Sequence, residues 1–272
     1  MDGTFVQYAD IPDGRSKHGV PRYYRHSLAV LRRAVARWNA PESGGIKFAI
    51  SFGDIVDGHC PRDRSLQAVR EVVAAFDEFR GGPTYHMIGN HWLYNLPRSK
   101  LVPLLRMPVA GDADDDPGSG RAYYDSSPWP GFRVVVLDAY DVSALGRPPG
   151  GGGVPGREEP ERREEQLQRS GRRRPASVVV CSHLPMDPGA AFPESVMWNY
   201  GEVMAVVHRH GRVRACLARH DHRGGYCVDS HGVHHRALEC PPGTSAFGHV
   251  EVYPDRLVLV GSDRMADTEM RF

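Results

Sequence analysis

Four short apolar runs in this 272-residue chain finish on side chains able to bind a metal. Ile46 to Phe52 runs into Gly53 and Asp54 in "SFGDIVDG", and Thr84 to Ile88 runs into Gly89, Asn90 and His91 in "IGNHW". Val178 to Ser182 meets His183 in "CSHLP", and Val213 to Ala218 reaches His220 and His222 in "CLARHDHRGGY". Any one of these is ordinary as a cap or turn residue, and in a chain with 14 histidines a pair at i, i+2 proves little alone. Together Asp54, Asn90, His183, His220 and His222 make a mixed oxygen and nitrogen set, hard enough for Mn2+ or Fe, compatible with Zn2+, and free of thiolate. One carboxylate can bridge two ions, and two ions about 3.5 to 4 Å apart activate a water and clamp the oxygens of an in-line displacement at phosphorus. Asp54 is the candidate bridge. A histidine pair at i, i+2 in extended or turn backbone can send its rings to different ions.

Such residues converge only if strands carry them. "YYRHSLAVLRRAVARWN" and "LQAVREVVAAFDEF" repeat apolar residues at helical spacing, and a third helix is expected over 194–210. The apolar runs 46–52, 84–88, 132–137, 178–181 and 213–218 have strand length. Strand and helix alternate, which predicts βαβ units and a largely parallel sheet through residue 220, its strand carboxyl ends opening into one crevice. Beyond Gly225, "GYCVDSHGVHHRAL" and "FGHVEVYPDRLVLVG" read as antiparallel hairpins closing that sheet. Residues 110–120 and 146–156 read as surface loops, rich in Gly and Pro, and no internal repeat is present.

Composition bounds the rest. Hydrophobic residues at 40% and charged residues at 25% describe a globular chain. Lys plus Arg numbers 34 against 33 for Asp plus Glu, so no global field steers it to nucleic acid or an anionic membrane. The arginines at 169 and 172–174 have no aromatic residues among them and read as a solvated helix and loop. No run reaches the roughly 18 apolar residues of a membrane span, and the first residues carry no signal-peptide pattern. Five scattered cysteines without a CxxC argue against a disulfide framework or zinc knuckle and make a reducing cytoplasm the default.

"GDIVDG", "GNH", "SHLP" and the "HDH" form of Gly-His-x-His, in that order, resemble the motifs of calcineurin-like metallophosphoesterases. More narrowly, "VQYADIPDG", "RYYRHSL", "LDAYDVSALG", "WNY", "HDHRGGY", "SAFG" and "VYPDRL" are similar to blocks of the manganese-dependent ADP-ribose/CDP-alcohol diphosphatases, across nearly the whole chain except about 146–175. The resemblance implies one metallophosphoesterase domain over 1–272, with 146–175 a variable loop or helix insertion. It also implies a four-layer α/β/β/α sandwich and Mn2+-dependent hydrolysis of the pyrophosphate bond of ADP-ribose and CDP-alcohols by a metal-activated hydroxide. By that resemblance Asp54 bridges, Asn90, His183 and His220 hold one metal, and Gln7 and His222 hold the other. His91 would face the substrate phosphate, as a proton donor or a positive charge on the transition state.

Departures from the family pattern also carry weight. Phe5 stands where the family has a ligand Asp, most of the first strand is missing, Arg219 replaces a glycine and Trp92 an acidic residue. With hard cations affinity falls with carboxylate count, so the Gln7 and His222 ion is expected to be weak. Activity could be impaired accordingly, and a degenerate or N-terminally incomplete member that binds one metal or a nucleotide with little catalysis is the alternative. For the substrate, "PRYYRH" offers Arg22, Tyr23 and Arg25 either to a nucleobase and phosphate or to packing over a helix end. Trp198 and Asn199 in "WNYGE", and Phe247 in "SAFGH", are implied by the family as pocket residues or pack the core. A small-molecule nucleotide, no nucleic acid, no membrane and a monomer complete the expectations.

Overall fold

In the computed structural model, residues 2–4, 14–15, 21–22, 24, 26–108, 122–140, 177–239 and 246–272 are described. They fall into two compact units, 1–107 with 240–271, and 108–239 with 272.

The first unit is built on a six-stranded mixed sheet. Its strands are β1 (Asp2–Thr4), β4 (Ala49–Ser51), β5 (Thr84–His86), β12 (Ala246–Val252), β13 (Arg256–Asp263) and β14 (Thr268–Arg271), in the order β14-β13-β12-β1-β4-β5. β1 is parallel to β4 and antiparallel to β12; β4 and β5 are parallel, and β12 to β14 form an antiparallel meander. A separate two-stranded ribbon pairs β2 (Gly14–Arg15) with β3 (Pro21–Arg22). Four helices accompany these strands: α1 (His26–Trp38), α2 (Arg62–Asp77), α3 (Asn90–Asn95) and α4 (Arg98–Leu104). α1 and α2 bury most of the apolar stripes that their spacing predicts, Leu31, Ala34, Val35 and Trp38 on one, Val69, Val73 and Phe76 on the other, while Leu28 and Leu66 are half-buried. Their ends are tied together by Asn39, which donates to Glu78 O at 2.8 Å and accepts from Arg80 N at 2.8 Å.

The second unit has its own six-stranded sheet. It contains β6 (Tyr124–Trp129), β7 (Phe132–Val136), β8 (Ser177–Cys181), β9 (Val213–Ala218), β10 (Gly225–Val228) and β11 (His234–Ala237), in the order β10-β11-β9-β8-β7-β6. The four central strands run parallel, and β6 and β10 are antiparallel edges. β8 is buried at every position, as a strand covered on both faces must be. Helix α5 (Tyr200–Arg209) precedes β9. Among the described residues no helix is long and apolar enough to cross a membrane.

Three expectations need correction. The strands up to residue 220 do not share one sheet: β4 and β5 lie in one, β7 to β9 in another, because hydrophobic period reports burial and not pairing partner. The run 46–52 pairs only over Ala49–Ser51; Ile46, Phe48 and Phe52 are buried beyond the ladder. The helix expected over 194–210 is a 3-10 turn, Pro193–Ser195, followed by α5. There Met197 N–H donates to Pro185 O and Phe192 N–H to the Asp221 carboxylate, bonds that a continuous helix would forfeit. The hairpins β10–β11 and β12–β13 form where expected.

Candidate metal centre

In the first unit, β4 delivers Asp54 through Gly53, and both take the left-handed backbone, with φ 87° at Gly53 and 53° at Asp54. A non-glycine residue held there costs on the order of 1 to 3 kcal/mol and persists where its surroundings fix it. Asp54 is buried, and its Oδ1 accepts the backbone N–H of His91 at 2.8 Å, at the start of α3. Gly89 makes room for this: a Cβ there would sit 2.1 Å from Asp54 Oδ1 and 2.8 Å from Asp54 N. Asn90 donates its side-chain N–H to Tyr94 Oη at 2.9 Å, and the amide oxygen is the Asn atom able to ligate a cation.

His91 is held by the rest of "GDIVDG". Gly58 N–H donates to His91 Nδ1 at 3.0 Å, so a neutral ring carries its proton on Nε2. Asp57 Oδ2 lies 3.6 Å from the same nitrogen. Burial pushes the Asp57 carboxyl up, but the His91 hydrogen bond and charge, with the His59 backbone N–H, outweigh it and bring it down to about 2. Asp57 is therefore anionic beside His91 at any pH near neutrality. A Cβ on Gly58 would meet the Tyr94 ring at 2.5 Å, so this glycine is needed for contact, not for conformation.

In the second unit, His183 lies two residues past the end of β8 and His220 two past the end of β9, and the rings meet with Nε2 and Nδ1 3.2 Å apart. His183 is fully buried and His220 has φ 64°, so the predicted bridging carboxylate and one predicted imidazole ligand both sit in strained backbone. Two ring nitrogens at that separation match the edge of a tetrahedron whose metal–nitrogen bonds are about 2.0 Å, so the pair fits a shared cation. Asp221, between the histidines, is not turned to that task. Its Oδ2 accepts Phe192 N–H at 2.8 Å and Ser195 Oγ–H at 3.3 Å, and its Oδ1 accepts Arg223 N–H at 3.0 Å. His222 is half-buried in the same turn. Arg219 is fully buried, its backbone N–H donating to His183 O at 3.1 Å, which ties the ends of β8 and β9.

Trp198 is 43% exposed beside half-buried Asn199, which donates to Glu202 Oε2 at 3.1 Å at the start of α5. Tyr24 of the "PRYYRH" cluster is buried, as is Phe247 on β12, and Trp92 is a core residue of α3. Gln7, Phe5, Tyr23, Arg25 and 146–175 lie outside the described residues, and of Arg22 only the backbone, in β3, is described. Asp57, Tyr94 and Asp221 were missed as site residues by sequence reasoning. The signals were there: Asp57 repeats the Asp of "GDIVDG" three residues on, and Tyr94 is one helical turn from Asn90.

No protein-family model matches the chain. Among curated proteins it is 56% identical to a manganese-dependent ADP-ribose/CDP-alcohol diphosphatase of Oryza sativa, over 98% of this chain and 92% of that one. It is 48% identical to the Arabidopsis thaliana protein of the same name, over 97% and 94%, and 34% to that of Danio rerio, over 98% and 96%. Among solved structures it superposes on a dimetal phosphatase from Danio rerio with a TM-score of 0.83 at 31% identity, covering 100% of this chain and 99% of that one. A purple acid phosphatase from yellow lupin seeds shares the fold at a TM-score of 0.59 and 12% identity, over 100% of this chain and 54% of that one.

Proposed function

Because the chain belongs to the manganese-dependent ADP-ribose/CDP-alcohol diphosphatases, we propose that it hydrolyses the pyrophosphate bond of ADP-ribose and of CDP-alcohols such as CDP-choline and CDP-glycerol. The observation that carries the reading is the 56% identity, over almost the full length of both chains, to a relative of that name. The metallophosphoesterase fold agrees with it, and the alternative of a non-catalytic member draws no support from relatives that all carry an enzyme's name.

We assign Asp54, Asn90, His183 and His220 to one Mn2+ and Gln7, His222 and the shared Asp54 to a second, with residues 1–272 read as a single metallophosphoesterase domain. With Phe5 in place of a carboxylate, the second ion is the weaker. The ions supply Lewis acidity to the phosphate oxygens and to an attacking water. The chain's own groups do the rest. Gly89 and the His91 N–H fix the Asp54 carboxylate, Tyr94 fixes the Asn90 amide, and the Asp221 bonds hold the turn bearing His220 and His222. His91, with Nδ1 satisfied by Gly58 and Asp57 beside it, has Nε2 to present to the leaving phosphate, donating a proton or a positive charge. Trp198 and Asn199, with Arg22, Tyr23 and Arg25, are assigned to the nucleoside end. A monomer in a reducing cytoplasm, without a nucleic-acid partner, belongs to the same proposal, supported by the balanced charge and the free cysteines Cys60, Cys181, Cys216 and Cys227.

The test is hydrolysis of ADP-ribose and CDP-choline by the purified chain with Mn2+, followed as release of AMP and CMP. Asp54→Ala is expected to abolish both activities and to lower bound manganese. Wild-type turnover in that variant would refute the bridge assignment, and no manganese-dependent release by the wild type would refute the function.

A further inference from the structure

A second cluster of ligand atoms, all within the 108–239 unit, takes no part in the chemistry above. His208, in the last turn of α5, places Nε2 2.7 Å from Asp229 Oδ2. His235, on β11, places Nε2 3.2 Å from the same oxygen and 4.0 Å from Asp187 Oδ2. His208, Asp229 and His231 each offer one atom within 4.8 Å of the others, and so do Asp187, Asp229 and His235. Nitrogen and oxygen ligands about 2.0 to 2.2 Å from one tetrahedral zinc stand roughly 3.3 to 3.6 Å from each other, and the observed spacings bracket that value.

The carboxylates are oriented for such a task. In each, one oxygen is anchored by backbone and the other turned to an imidazole. Asp229 Oδ1 accepts from His231 N–H at 2.8 Å and Val233 N–H at 2.9 Å; Asp187 Oδ1 accepts from Gly189 N–H at 2.7 Å. His235 is only 2% exposed, and the strand register puts it opposite Cys227 on β10 and beside Cys216 on β9. Burial, the Asp187 charge and its hydrogen bond push the Cys227 thiol up to about 12; burial, Cys181 and the same two carboxylates raise Cys216 too. A pair of His–Asp hydrogen bonds accounts for the two short distances. It leaves unexplained why the free oxygen of a second carboxylate approaches the same buried imidazole nitrogen.

We propose that Asp187, Asp229 and His235 bind a zinc-class divalent cation at a site additional to the phosphoester-cleaving centre. One imidazole nitrogen and two carboxylate oxygens, with no thiolate required, suit zinc with a fourth position left to water. Asp187 lies four residues beyond His183, so the ion ties the loop after β8 to the β10–β11 hairpin.

The experiment uses the full chain with the assigned catalytic ligands removed by Asp54→Asn and His220→Ala. It is titrated with Zn2+ by calorimetry and examined with Co2+ by absorption spectroscopy. One zinc per chain and the intense visible bands of four-coordinate cobalt are expected. Adding His235→Gln should weaken zinc about tenfold or more and remove the bands. If circular dichroism shows that variant unfolded, Asp187→Asn, in the loop after β8, carries the same expectation. No zinc binding by the doubly substituted chain overturns the site, as does unweakened binding in a folded His235→Gln or Asp187→Asn chain. No activity is read, so failure of the proposed hydrolysis leaves this result intact.

Discussion

At the residue scale, the proposed chemistry depends on a few side chains whose neighbours orient them. His91 is the clearest: Gly58 N–H donates to Nδ1, and the Asp57 carboxylate lies beside the same nitrogen. His91→Ala is expected to lower kcat about 10²- to 10⁴-fold with bound manganese unchanged, measured as turnover alongside metal content. A parallel loss of metal would make it a ligand instead. Gly89 illustrates the opposite requirement, a residue whose value is the absence of a side chain. Gly89→Ala puts a methyl 2.1 Å from the Asp54 carboxylate oxygen, so Asp54 or the α3 start must move. We expect lowered manganese affinity and a lower unfolding midpoint, the two checked by metal titration and thermal melting. Unaltered manganese affinity would show that the Asp54 position is not set by this contact.

At the element scale, strands bring ligands to their ends, and loop-to-loop bonds then fix the angles. Asp221 binds the turn after β9 to residues 192–195 through Phe192 and Ser195, and Met197 binds the approach to α5 to Pro185, two residues beyond His183. The guanidinium of Arg223 lies over the Phe192 ring, 3.3 Å from its centroid, which closes the same link from outside. Asp221→Asn removes a charged acceptor from three donors and is expected to cost about 1 to 3 kcal/mol in chemical denaturation. Because His220 and His222 flank it, manganese affinity should fall as well. If stability falls while manganese affinity holds, the turn is a structural clasp only.

At the scale of the whole molecule, pH stability has an identifiable buried contributor in the first unit. Burial holds the His86 imidazole down to about 4 from its ordinary 6.5, with the Asp77 charge opposing and Arg106 assisting. The folded state then refuses a proton that the unfolded state accepts. This contribution is complete above pH 6.5 and drains away as pH falls toward 4, by about 3 kcal/mol in all. Denaturation at pH 7 and pH 5 should show about 2 kcal/mol of that loss, and His86→Gln should flatten the slope whatever it does to absolute stability. An equal slope in the variant would place the dependence elsewhere. The chain reveals its candidate ligands more readily than its architecture. "GDIVDG", "GNH", "SHLP" and "HDH" pointed to Asp54, Asn90, His183 and His220 as candidates because metal chemistry restricts the residue types that can serve, and the helical stripes of α1 and α2 were equally plain. Tertiary structure alone decided that β4 and β5 belong to one sheet and β7 to β9 to another, that 3-10 turn and loop replace the first part of a helix before Tyr200, and that Asp221 clasps rather than ligates. Those outcomes depend on which distant backbone groups and side chains find one another, and an apolar period or a carboxylate between two histidines carries no record of its partner.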